Sequence, residues 1–165
     1  MATPTTLPAA FIAGAILTAA QQNNLRGAFR VLQVVAGTSA TQTSATTSTY
    51  VNSTLTATIT PSSTSSQVLV IVTQPGSTSG AGLILGMRLV QTIAAADTVI
   101  SSWPNALYNS AGASYGTFAR VSLVSPASIA AVSFRTQMVS TTNAATVFTQ
   151  TGNETSTMIL AEISA

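Results

Sequence analysis

From residue 31 onward, apolar side chains alternate with threonine and serine, and this alternation limits the chain to β-structure. In the segment "LTATIT", Leu55, Ala57 and Ile59 fall on one face and the threonines on the other. Threonine and valine favour strands, and clusters of Ser, Pro and Gly separate the strand-like segments. About eight such segments, with no helical pattern among them, predict an all-β fold: an antiparallel β-sandwich of jelly-roll type.

Two predicted loops interrupt this pattern. The segment "QVLVIV" is apolar in both phases of the alternation, which predicts a strand buried on both faces, and the loop "QPGSTSGAG" follows it. The second predicted loop, "WPNALYNSAGASYG", carries Trp103, Tyr108 and Tyr115. Aromatic side chains stack on sugar rings and anchor binding interfaces, so these three residues are candidate ligand contacts, with a glycan as the ligand. The alternative is that they only cap the core.

Charge is scarce in this chain. Only 5% of the residues are charged, where about 25% is usual. The five basic residues are arginines scattered along the sequence, and because phosphate binding needs clustered basic side chains, we expect no nucleic-acid binding. Sheet edges are normally protected by charges, lysine above all, and this chain has no lysine. We therefore predict that the edges are covered in a homotrimer or another closed symmetric assembly.

Catalytic chemistry has few candidate residues. The chain has neither cysteine nor histidine, so the usual nucleophiles, general bases and transition-metal ligands are missing. A glycoside hydrolase would need two carboxyl groups about 5 to 10 Å apart, and only Asp97, Glu154 and Glu162 are available. We expect Glu162 to form an ion pair with an arginine of another strand: Arg88, Arg120 or Arg135. The prediction is a protein that is not an enzyme and has no cofactor or metal site.

Residues 1–30 form a different kind of segment. Their apolar stretch is interrupted by Pro8 and Gly14, is shorter than the roughly 20 residues that cross a bilayer, and has no basic residue before Arg26. We therefore expect neither a signal peptide nor a membrane span. Thr18 and Gln21 have the spacing of a capping box, which predicts an extended arm followed by a short helix.

The predicted helix has an amphipathic face. Leu25 and Phe29 lie on one side, with Arg26 and Arg30 beside them, and Gly27 weakens the helix so that it needs a partner surface. That surface is either the chain's own domain or another subunit. The expected organisation is an arm and anchoring helix over 1–30 and a β-sandwich over 31–165.

Three segments resemble the small tail and fibre-type virion proteins of tailed bacteriophages, especially phages of actinobacteria. They are "AGAILTAAQQNNLRGAFRVLQVV" near the N-terminus, "LTATITPSSTSSQVLVIV" in the β-region and "STMILAEISA" at the end. Residues 74–125 lie outside the resemblance. The chain departs from the family pattern at Gln67, where those proteins usually have lysine.

The resemblance implies a virion structural protein on the capsid surface or the tail, usually labelled a minor tail or fibre protein. It places in an attachment element the residues Thr18, Ala19, Ala20, Asn24, Leu25 and Arg26. Together with the helix face, the residues expected to bind another capsid or tail protein are Leu17, Thr18, Leu25, Arg26, Phe29 and Arg30. In that setting the aromatic residues would contact a host-surface glycan. A decoration protein that cements capsid subunits is the alternative, since small size, an arm and threefold symmetry suit it equally.

Overall fold

The computed structural model describes residues 31–142 and 146–164, which form an all-β domain. The predicted arm and helix lie outside these residues. Eight of the strands are long, as the alternation predicted, and two have three residues each. The strands are β1 Val31–Ser39, β2 Thr43–Ala45, β3 Val51–Ile59, β4 Gln67–Thr78, β5 Leu83–Ile93, β6 Ala96–Asn109, β7 Ser114–Val124, β8 Val132–Ser140, β9 Val147–Thr149 and β10 Ser156–Ile163.

The long strands pair like one long hairpin that has been rolled up. β5 pairs with β6, β4 with β7, β3 with β8 and β1 with β10, and every pair is antiparallel. Two further ladders, β4 with β10 and β5 with β8, join these pairs into sheets. The larger sheet contains β1, β10, β4 and β7, extended by β9 and β2, and the smaller sheet has the order β3-β8-β5-β6.

The two sheets share one hydrophobic core, as a β-sandwich requires. Val70 and Leu160 enter it from the larger sheet, and Leu55, Leu85 and Phe134 enter it from the smaller one; all five are fully buried. Burying an apolar side chain of this size contributes about 1.5 to 3 kcal/mol. The predicted alternation is confirmed in β3, where Leu55, Ala57 and Ile59 are buried and the threonines between them are exposed.

The prediction of a long loop around the aromatic residues is wrong. β6 and β7 cover that segment, and only residues 110–113 connect them. The alternation is obscured because the β5–β6 register shifts between the pairs of Leu85 and Met87. Pro104 is tolerated because β6 is the edge of its sheet, where a missing backbone N–H breaks no ladder. The prediction of a loop over "QPGSTSGAG" is also partly wrong, because β4 continues to Thr78.

Candidate functional surfaces

The predicted attachment residues are not among those that the structure describes. Leu17, Thr18, Leu25, Arg26, Phe29 and Arg30 all precede residue 31, so their role stays a prediction. The structure does show where that segment joins the domain. β1 begins at Val31 and is an edge strand of the larger sheet. Whatever residues 1–30 bind is therefore connected to the sandwich through this edge.

The three candidate ligand-contact aromatics are separated by the fold. Trp103 is 4% exposed and belongs to the core, which is the alternative that the sequence left open, and Arg120 lies 5.6 Å from its ring centre. Tyr108 and Tyr115 are 57% and 73% exposed. The strand registers place Tyr108 on the outer face of the smaller sheet and Tyr115 on the outer face of the larger one. The three side chains do not form one stacking surface, and a ligand role for the two tyrosines stays a prediction.

A polar network covers one end of the smaller sheet's outer face. Arg135 forms an ion pair with Asp97 and donates a hydrogen bond to the Thr92 hydroxyl. That hydroxyl donates to the other Asp97 oxygen at 2.8 Å. Hydrogen bonds from Thr92 and from Arg135 hold the pKa of the Asp97 carboxyl below its usual value. Three strands, β5, β6 and β8, are tied together by these contacts.

The network continues toward β3 through amide side chains. Asn52 Oδ1 accepts from Arg135 Nε at 3.0 Å and from Gln137 Nε2 at 2.7 Å. Gln137 Oε1 accepts from Arg88 Nε at 2.6 Å, and the Arg88 guanidinium lies 4.0 Å from the ring centre of Tyr50. The arginines on this face are thus engaged with the chain's own acceptors and an aromatic ring. Such contacts hold the strands of this sheet together.

Glu162 is buried, and none of the arginines that the structure describes pairs with it, so the predicted ion pair with Arg88, Arg120 or Arg135 is wrong. Its Oε2 accepts from Gln33 Nε2 at 2.6 Å, and its Oε1 accepts from the backbone N–H and the hydroxyl of Ser62, each at 2.7 Å. Gln33 also donates to the Thr60 carbonyl at 2.7 Å. The carboxylate therefore connects β10 to β1 and to the loop that follows β3.

The surroundings of Glu162 favour its charged form. Burial opposes ionisation, but hydrogen bonds from Gln33, Ser62 and Ser66 outweigh burial and lower the pKa to about 2. A carboxyl group with such a pKa is ionised at neutral pH and does not donate a proton, which makes it a structural clamp. Sequence reasoning missed this clamp because its partners are neutral residues distant along the chain.

The outer face of the larger sheet is apolar over four neighbouring strands. Leu69 lies opposite Leu123 on one side and Ala161 on the other, and Ile71 lies opposite Val121 and Ile159. We call the following ten residues the apolar face: Val34, Ala36, Leu69, Ile71, Ala119, Val121, Leu123, Ile159, Ala161 and Ile163. The segment "QVLVIV" predicted a strand buried on both faces, and this is only partly right, because Leu69 and Ile71 are partly exposed on the outer face.

No protein-family model and no curated protein matches the sequence. Within residues 31–142 and 146–164, no helix is long and apolar enough to cross a membrane. The same residues contain no group of three or more acidic side chains that could hold a metal ion.

Proposed function

We propose that this protein is a non-enzymatic structural protein of a bacteriophage virion. Residues 1–30 attach it to another capsid or tail protein, and a trimeric β-sandwich is displayed on the particle as a minor tail or fibre-type appendage. What carries the proposal is the resemblance of three sequence segments to tail and fibre-type virion proteins, and the nested strand pairing of the sandwich is compatible with it.

We further propose that the sandwich is a jelly roll. In that fold a long antiparallel hairpin is rolled up so that each nested pair contributes one strand pair to the sheets, and the fold is common in viral capsid and lectin domains. The pairing of β1 with β10, β3 with β8, β4 with β7 and β5 with β6 supports this assignment. The fold alone does not choose a function, because jelly rolls serve many.

The proposed attachment segment and the exposed tyrosines lie at different places on the domain, which supports the appendage role. Residues 1–30 leave the domain at an edge of the larger sheet, while Tyr108 and Tyr115 flank the connection between β6 and β7. A host-adhesive appendage would use exposed side chains such as these two tyrosines on a surface glycan.

A capsid decoration protein is the second candidate, and the aromatic residues favour it. Trp103 is buried, and the two tyrosines are on opposite outer faces, so these three aromatic residues do not provide a grouped surface for a sugar. A cement protein needs none, because it acts through buried contact area between subunits.

Antibody labelling of intact particles tests the proposed function directly. We expect electron microscopy to show label at the tail or its tip for an appendage, and over the head for a decoration protein. Particles without label anywhere, from a preparation in which the protein is expressed, would contradict the virion assignment as a whole.

Changes within residues 1–30 test the attachment role. Replacing Leu25 with aspartate in the full-length chain puts a charge in the predicted contact face, so we expect at least a tenfold loss of incorporation into particles, measured by quantitative immunoblotting. Asn23→Asp adds the same charge away from Leu25 and should incorporate normally. Removal of residues 1–30 should abolish incorporation. Normal incorporation of the shortened chain would show that the anchor lies elsewhere.

A further inference from the structure

The apolar face is unusual for an exposed surface of a β-sandwich. Val34, Val121 and Leu123 are 61%, 64% and 55% exposed. Among the residues that the structure describes, no charged side chain points outward from it, whereas the outer face of the smaller sheet carries Arg88 and Arg135. Contiguous apolar surfaces of this kind mark interaction sites in soluble proteins.

We propose that further copies of this chain cover the apolar face, so that three copies assemble with these faces turned toward one threefold axis. The inference rests on the homo-oligomer in the proposed function and assigns the surface that forms it. The face consists of valine, isoleucine, leucine and alanine on a sheet, and another copy supplies the same uncharged surface without electrostatic repulsion.

The width of the face fits a threefold assembly. Four strands about 4.8 Å apart give a sheet roughly 19 Å wide. If three such sheets form the sides of a triangular prism, the distance from the middle of each sheet to the threefold axis is about 0.29 of the sheet width. That distance is roughly 5.5 Å. Packed sheets are about 10 Å apart, so side chains reach roughly 5 Å from each sheet. The side chains of three apolar faces would therefore fill the space around the axis.

The size of the face is also sufficient. Five polar residues border the ten apolar ones: Thr38, Gln67, Thr73, Thr117 and Thr157. Each residue covers about 33 Å² of a sheet, given strand spacing of about 4.8 Å and a two-residue repeat of about 6.8 Å, so fifteen cover about 500 Å² of flat area. Accessible area exceeds flat area on a surface of side chains. Three copies together therefore bury about 1,500 Å² of flat area, divided among three contacts, which is close to the roughly 1,600 Å² that one standard interface buries in total.

The chain's own residues 1–30 are the competing occupant. They join the domain at Val31, beside the apolar face, and include the predicted face of Leu25 and Phe29. A single helix is about 10 to 12 Å across, which covers little more than half of a four-strand width. Two further copies around a threefold axis cover the whole width, and we therefore choose them as the occupants.

Charge substitution on the apolar face tests the proposal in the full-length protein. Val121→Lys places a charge within this face, on β7, and Val99→Lys is the matched control, since Val99 is a 48% exposed valine on β6 of the other sheet. We expect light scattering with size-exclusion chromatography to give a threefold loss of mass for Val121→Lys and the trimer mass for Val99→Lys. Circular dichroism should show both variants folded.

Other outcomes overturn the proposal in distinguishable ways. A trimeric Val121→Lys variant would show that the copies meet through another surface, and the virion assignment would stand. A monomeric wild-type chain that associates only when residues 1–30 are removed would make its own segment the occupant. A wild-type chain that is monomeric with or without that segment would contradict the trimer itself. If Val121→Lys dissociates the trimer but the wild-type protein is absent from particles, the proposed function alone would be contradicted.

Discussion

Replacing Glu162 with glutamine is expected to destabilise the domain by roughly 3 kcal/mol at neutral pH, since lowering the pKa from 4.5 to about 2 favours the ionised form by that amount. The carboxylate accepts hydrogen bonds from Gln33 and from two groups of Ser62. Glutamine keeps the size of the side chain, but its NH2 group meets donors where the carboxylate presented an acceptor. Urea unfolding at pH 7 measures the difference.

The same clamp gives the wild-type protein a specific pH dependence. The folded-state pKa of Glu162 is depressed. The contribution of this residue to the free energy of unfolding is therefore fully present above the ordinary pKa of 4.5 and is lost as the pH falls toward about 2. The stabilities of the wild type and of Glu162→Gln should therefore converge between pH 4.5 and pH 2. Unfolding curves at several pH values in this window follow the convergence.

Glu154→Gln is the control for the loss of a negative charge. Glu154 is exposed in the connection before β10, and surface substitutions of this kind usually change stability by less than about 0.5 kcal/mol. A Glu162→Gln effect that is equally large at pH 7 and pH 2 would mean that shape, and not charge, is what the buried site requires.

The fold was predictable where a local pattern determines it. Leu55, Ala57 and Ile59 are buried as their alternation indicated, and the antiparallel sandwich follows from repeated segments of this kind. The β6–β7 region was not predictable, because a register shift and Pro104 disturb the alternation and an edge strand tolerates both. Local periodicity carries no information about which strands are edges.

The surfaces were less predictable because they depend on pairing between distant residues. Glu162 and Gln33 are separated by 129 positions, and no spacing rule connects them. The alternate apolar residues of "QVLVIV" predicted burial on the second face, and the single sandwich leaves Leu69 and Ile71 only partly buried there. A three-copy assembly would bury them, in which case the pattern describes the assembly and not the isolated domain.

Gly37→Ala is expected to destabilise the domain by about 2 to 3 kcal/mol, the cost of overpacking a filled interior. A Cβ atom at this position would overlap the Thr56 carbonyl oxygen and lie 2.9 Å from Ala57 Cβ. The obstacle is backbone of β3, which cannot rotate away as a side chain does. β1 must therefore separate from β3, and this loosens the edge through which residues 1–30 join the sandwich.

Gly112→Ala is the matched control, since a Cβ there meets nothing within 4 Å. Replacing this glycine restricts the unfolded chain, so we expect no change or a gain of less than about 1 kcal/mol. Urea unfolding compares the two variants, and hydrogen exchange should show faster exchange of the β1 amides only in Gly37→Ala. Equal urea-unfolding midpoints for Gly37→Ala and Gly112→Ala would mean that β1 and β3 lie farther apart than the structure describes. Slower incorporation into particles for Gly37→Ala, with Gly112→Ala normal, would support the proposed attachment through residues 1–30, because these residues join the sandwich at β1.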